Sequence, residues 1–179
     1  MTRTCCIAGA VLLALAAADP APAQQPQTLQ VSSHSFADGQ RMPQRLSCDG
    51  PDVSPALQWT TIAGAKSYAI VVDDPDAPQP FTHWLAYNIP ADIHALPEAA
   101  AGAGKRLARA AEGSNGFGHA GYGGPCPPPG APHHYVFRVY ALDIDPALPS
   151  GQDEQRLDAA MQGHVLAQGQ LTGLYGRSN

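Results

Sequence analysis

The chain has 179 residues, of which 44% are hydrophobic and 14% charged, enough for one domain with a real core and too apolar for a disordered chain. Ten Lys and Arg against 15 Asp and Glu give a formal net charge of -5, which disfavours nucleic acid as a main partner. Gly and Pro number 18 each without a collagen-like period, so turns take a large share and a mainly β fold is favoured over a helical bundle.

Residues 1–23 read as a signal peptide. Arg3 supplies a positive start, residues 7–18 form an apolar run too short to cross a membrane, and Ala21-Pro22-Ala23 offers small residues for cleavage. Pro20, Pro22 and Pro26 speak against a buried first helix. Cys5 and Cys6 precede the apolar run, where a lipoprotein cysteine would end it. The expected product is a single domain, residues 24–179, periplasmic or secreted, with no transmembrane span. Loss of Arg3 and Asp19 leaves 9 basic and 14 acidic residues, so its net charge is still -5.

Processing would leave two cysteines, Cys48 and Cys126, each beside a turn. In an oxidising compartment a disulfide between them is the expectation, with two free thiols as the alternative. Their spacing excludes a zinc site of the Cys-x-x-Cys type.

Strand signals dominate the mature chain. Residues 29–36 alternate weakly, and residues 57–59 follow a turn-rich stretch. Residues 68–72 are continuously apolar between Lys66-Ser67 and Asp73-Asp74-Pro75, which predicts a strand buried on both faces. Residues 84–89 alternate and stop at Pro90, and residues 91–118 have the composition of a loop. Within that loop Lys105, Arg106 and Arg109 form a basic cluster that reads as solvated. Residues 135–142 alternate as a strand with one charged position. One C-terminal helix is predicted, capped by Ser150, carrying Leu157, Ala160, Met161, His164 and Val165 on one face and ending near Gly169; a last strand covers residues 171–175.

Two segments carry chemistry. In Asp74-Pro75-Asp76-Ala77-Pro78, each proline fixes φ and biases the residue before it toward an extended form, so the carboxylates have few orientations. His83 follows closely, and His133 and His134 open a separate strand. An Asp in contact with an imidazole favours the imidazolium, a cation suited to phosphate or carboxylate. In Gly121-Tyr122-Gly123-Gly124-Pro125-Cys126-Pro127-Pro128-Pro129-Gly130, Gly123 and Gly124 can turn amides toward one point while the prolines stiffen an apolar wall. A purely structural loop with a polyproline stretch is the alternative.

These two segments, with Ser47-Cys48-Asp49-Gly50, Ser54-Pro55-Ala56-Leu57-Gln58-Trp59, Asn115-Gly116-Phe117-Gly118 and His133-His134-Tyr135-Val136-Phe137, resemble the phosphatidylethanolamine-binding protein family, more narrowly its bacterial Raf kinase inhibitor-like branch. The resemblance runs in order from Leu29 to Arg177. It implies antiparallel β-sheets packed together, with a small pocket for phosphate-like anions or lipid headgroups. Carried over by position, the ligand-binding residues are Asp74, Asp76, His83, Gly124, Pro128, His133 and Tyr135. His134 stands where many relatives have arginine, which makes the pocket's charge more sensitive to pH. The sequence stops soon after Arg177, so the extra C-terminal helix of animal relatives is not expected.

The leading expectation is a non-catalytic binding protein for a small anion, without cofactor or metal. The alternatives are a protein-interaction module, such as a protease inhibitor or signalling modulator, and a hydrolase using Asp74, Asp76, His83 and His133. Against the hydrolase, the sequence contains no His-Glu-x-x-His, Gly-x-Ser-x-Gly or Walker loop. A protein partner and a homodimer are both left open. Trp59 and Trp84 are expected in the core, and His34 and His94 on the surface.

Overall fold

The computed structural model describes residues 27–102 and 104–177; the signal peptide expected over residues 1–23 lies outside them. The elements in chain order are β1 (Gln27–Thr28), β2 (Val31–Ser32), β3 (Gln40–Arg41), a 3-10 turn (Gln44–Leu46), β4 (Leu57–Trp59), β5 (Ser67–Asp74), β6 (Phe81–Pro90), β7 (Ala95–Leu96), β8 (Ala111–Glu112), β9 (His133–Leu142), α1 (Glu154–Met161) and β10 (Val165–Tyr175). The larger sheet has the order β1-β10-β9-β5-β6-β8, with β3 also on β10, and the smaller is β2-β4-β7. Pairing is antiparallel except where β1 and β3 run parallel to β10.

The apolar run at residues 68–72 is the centre of the larger sheet, paired with β9 on one side and β6 on the other. It is buried on both faces, as its composition requires. Tyr68, Ile70 and Val72 enter the main core, which also holds Trp59, Trp84, Phe137 and Leu171. Ala69 and Val71 face the opposite way, into a second cluster with Leu85, Tyr87 and the helix residues Leu157 and Met161. Burying such side chains contributes about 1.5 to 3 kcal/mol each, before conformational entropy is set against it.

The helix is shorter than its periodicity predicts. Its N-cap is Asp153, whose side chain accepts from the Arg156 amide at 2.9 Å, and it ends at Met161 rather than near Gly169. Gly163 takes a φ of 79° just beyond, a left-handed conformation that terminates helices. His164 and Val165, expected on the helical face, therefore lie in the turn and at the start of β10; His164 contacts Asp143 at 2.8 Å. The weak pattern of residues 29–36 yields only the two-residue β2, although Leu29 is buried and its amide reaches Gln168. No helix among the described residues is long and apolar enough to cross a membrane.

Candidate functional site

Cys48 and Cys126 are joined in a disulfide with a Cα separation of 5.4 Å, within the range such bonds require. The Cys48 amide also donates to the Pro125 carbonyl. Beside the bond, Asp49 accepts from Arg177 Nε at 2.9 Å and from the Tyr175 hydroxyl at 2.7 Å. The Arg177 and then the Tyr175 hydrogen bonds hold the Asp49 carboxyl down at about 2, against an ordinary 3.8. The turn near residue 50 is thereby fastened to the proline-rich loop and to the end of β10.

The rigid acidic loop is fastened to the start of β9 by two Asp–His contacts. Asp74 is 5% exposed; its Oδ1 accepts from the Asp76 and Ala77 amides at 2.9 and 3.1 Å, and its Oδ2 lies 2.7 Å from His133 Nδ1. Asp76 lies further out, its Oδ2 accepting from the His134 amide and lying 2.7 Å from His134 Nδ1. The His134 backbone bond first, and its side chain second, lower the Asp76 carboxyl below its ordinary value. The two successive histidines thus serve different carboxylates: His133 the buried one, His134 the exposed one.

His83 reaches this cluster through a bulge. Val72 pairs with Trp84 and Asp73 with Thr82, so His83 is the extra residue on β6. A bulge breaks strict alternation and re-aims a side chain. Trp84 enters the main core, and the neighbouring His83 ring lies 5.0 Å from Tyr135, edge to face. Thr82 faces the other way and contacts Glu154 of α1.

The electrostatics of His83 reverse the expectation of a second imidazolium. It is 3% exposed, and burial lowers its pKa below 6.5 against the smaller opposing pull of the Gly123 carbonyl and the Asp74 charge. The ring is therefore neutral at neutral pH. Its Nδ1 sits 2.7 Å from the Gly123 carbonyl, which can only accept, so Nδ1 carries the proton and Nε2 is the ring's acceptor.

The Gly123 and Gly124 amides are likewise not turned toward one anion. Gly123 donates to the His83 carbonyl at 2.9 Å, and Gly124 donates to Asp52 Oδ1 at 2.7 Å. These amides are consumed in closing the loop. Gly124 is still required, because a Cβ there would stand 2.2 Å from the Leu46 carbonyl oxygen. Pro128 lies on the exposed crest of the same loop.

Tyr135 is fully buried, and its hydroxyl makes no well-formed hydrogen bond, although the Asp74 carboxylate and the Cys126 backbone lie near it. Burial first, and the Asp74 charge second, hold the phenol protonated, well above its ordinary value. Tyr122, by contrast, is structural: its hydroxyl donates to the Leu46 carbonyl at 2.8 Å. The structure therefore brings Asp74, His83, His133 and Tyr135 together, leaves Asp76 with His134 at the margin, and gives Gly124 a scaffold role. Among the described residues no three His, Cys, Asp or Glu side chains form a group able to hold a metal ion.

One buried carboxylate escaped the sequence reading. Glu112, within the stretch read as loop, is 3% exposed and accepts from the Trp84 indole at 2.9 Å and the Leu107 amide at 3.2 Å. Nothing in its flanking composition separates it from a surface glutamate. Its partners lie on β6 and in the loop carrying the basic cluster, of which Arg106 approaches it to 3.9 Å.

The family model for phosphatidylethanolamine-binding protein matches residues 32–176. The chain belongs to the phosphatidylethanolamine-binding protein family. Among relatives of this phosphatidylethanolamine-binding protein family member, a UPF0098 protein of Methanothermobacter thermautotrophicus is 44% identical over 83% of this chain and 99% of its own length. The Mycobacterium tuberculosis protein LppC, named as a candidate lipoprotein, is 37% identical over 89% of this chain and 77% of its own. Of solved structures, YbcL of E. coli superposes with a TM-score of 0.78 at 34% identity, over 85% of this chain and 100% of YbcL. CT736 of Chlamydia trachomatis superposes with a TM-score of 0.77 at 34% identity, over 84% of this chain and 99% of CT736.

Proposed function

We propose that this protein binds a small phosphate-like anion, a phosphomonoester or a phospholipid headgroup, without chemical turnover and outside the cytoplasm. The observation that carries the reading is the unpartnered hydroxyl of buried Tyr135, standing beside neutral His83 and the Asp74–His133 pair. A buried donor left without a partner costs roughly 1 to 3 kcal/mol, a cost that a ligand oxygen removes. When His133 is protonated, its Nδ1–H donates to Asp74 and its Nε2–H is a second donor for an anion. His83 adds the opposite requirement, since its Nε2 can only accept.

A singly protonated phosphate meets all three groups. Its bare oxygens accept from Tyr135 and His133, and its P–O–H donates to His83. Above the second ionisation of a phosphomonoester, about 6, that donor is lost, so affinity falls as pH rises even though His83 is not the charged group. The disulfide, at home in oxidising compartments, and the naming of LppC as a candidate lipoprotein support a place outside the cytoplasm.

The test is titration of a phosphomonoester, ethyl phosphate, at pH 5.5 and 7.5, followed through the imidazole NMR signals. Signals of His83 and His133 move at the lower pH, while those of exposed His34 and His94 do not. Stationary His83 and His133 signals at both values would overturn the proposal.

A further inference from the structure

Phe117 is the one exposed large hydrophobic side chain among the described residues, at 45%. A single exposed apolar residue is ordinary on a protein surface, but this one is held in place and held beside the site. Asn115 Oδ1 accepts from the Phe117 amide at 3.0 Å and from the His119 amide at 3.4 Å, while Asn115 Nδ2 donates to the Gly121 carbonyl at 2.9 Å. Gly116 donates to the Thr82 carbonyl at 2.7 Å, which ties the same turn to β6 next to His83.

Two glycines leave room for the ring. A Cβ on Gly123 would come within 2.6 Å of the Phe117 ring, and one on Gly116 within 2.7 Å of the Phe81 ring. Phe117 then stands edge to face with Phe81 at 4.8 Å and with His83 at 5.5 Å. The His119 ring lies nearly parallel to it, at 13° and 6.1 Å, a second aromatic ring in a stacked arrangement. The aromatic series runs from buried Tyr135 through buried His83 to exposed Phe117.

We infer that Phe117 is a specificity-determining residue, a stacking platform that selects phosphomonoesters whose organic group is a flat aryl ring. This inference rests on the phosphate-site reading above. Stacking of aromatic pairs beyond simple burial corresponds to roughly a three- to tenfold gain in affinity. An aliphatic substituent of the same charge gains contact with the rim but not the ring-on-ring term.

The experiment compares phenyl phosphate, ethyl phosphate, phosphocholine and inorganic phosphate, titrated into the parent protein and into Phe117→Ala, Phe117→Leu and Phe117→Trp. In the parent, phenyl phosphate binds about three- to tenfold more tightly than ethyl phosphate. The ratio falls to within twofold in Phe117→Ala and Phe117→Leu and is kept in Phe117→Trp. Equal affinities in the parent, a ratio that survives Phe117→Ala, or phosphocholine binding more tightly than phenyl phosphate would each overturn the platform while leaving the phosphate site standing. Loss of ethyl phosphate binding in both Phe117→Ala and Phe117→Leu would make Phe117 part of the phosphate subsite and overturn its separate role. Absence of any phosphate response at His83 and His133 in the parent would remove the site and the platform together.

Discussion

Replacement of Tyr135 by phenylalanine should move stability and binding in opposite directions. The hydroxyl is buried and makes no well-formed hydrogen bond in the free protein, with the Asp74 carboxylate and the Cys126 backbone only near it, so Tyr135→Phe removes little native bonding and relieves the burial of a polar atom. Replacing such a group by an apolar one of the same shape is neutral to stabilising, by up to about 1 kcal/mol, or roughly 2 to 4 °C for a domain of this size. Binding should suffer instead. A hydrogen bond to a charged group contributes about 1.5 to 3 kcal/mol, and this donor is already stripped of water, so the expected loss in phosphate affinity is about thirtyfold. Differential scanning calorimetry and isothermal titration with phosphate at pH 5.5 measure the two sides. A melting temperature lowered by more than roughly 3 °C, or an affinity within about twofold of the parent, would show that the hydroxyl is not held in reserve for a ligand.

Reduction of the Cys48–Cys126 bond, which spans a sequence separation of 78, should cost about 4.5 kcal/mol in the chain-entropy account; denaturant melts with and without reductant that differ by under about 1 kcal/mol would refute it. Because burial lowers the His83 pKa, its contribution to stability is complete above pH 6.5 and declines as pH falls from 6.5 through the folded-state value. His83→Phe should therefore flatten the stability profile over that window, and an unchanged profile would show that His83 does not titrate abnormally. Glu112→Leu should strand the Trp84 indole and the Leu107 amide at about 1 to 3 kcal/mol for each buried donor, whereas Glu112→Gln should retain much of the stability; similar urea midpoints for the two variants would mean that Glu112 contributes only volume.

The features of this fold that were readable in sequence are those with a local physical cause. Residues 68–72 had to become a central strand because no alternation offered a solvent face, and β5 is buried on both sides. The acidic loop was legible because its prolines limit the backbone, leaving Asp74 to cap its own turn and meet His133. The helix end was misread because His164 and Val165 continue the helical spacing, while Gly163, in the left-handed region, stops it. Glu112 was missed because its burial comes from Trp84 on β6, far along the chain.

The site itself divides along the same line. Residue types and spacing suggested two devices for an anion, charged imidazoles and a pair of glycine amides. The fold uses both glycine amides elsewhere, on the His83 carbonyl and Asp52, and buries His83 deeply enough to keep it neutral. Whether an imidazole is a cation or an acceptor depends on its solvation and on which ring nitrogen is already bound. For His83 both are decided by a single extra residue on β6 and by the Gly123 carbonyl. On the proposed reading the cluster asks its ligand to donate one proton as well as to accept, which separates a phosphate that keeps a P–O–H from a carboxylate or a sulfate. Sulfate, whose oxygens can only accept near neutral pH, should therefore bind at least about tenfold more weakly than inorganic phosphate at pH 7, where phosphate still carries a P–O–H, the penalty of facing a buried acceptor without a donor. Equal binding of the two anions in a competition titration would show that His83 Nε2 does not face the ligand.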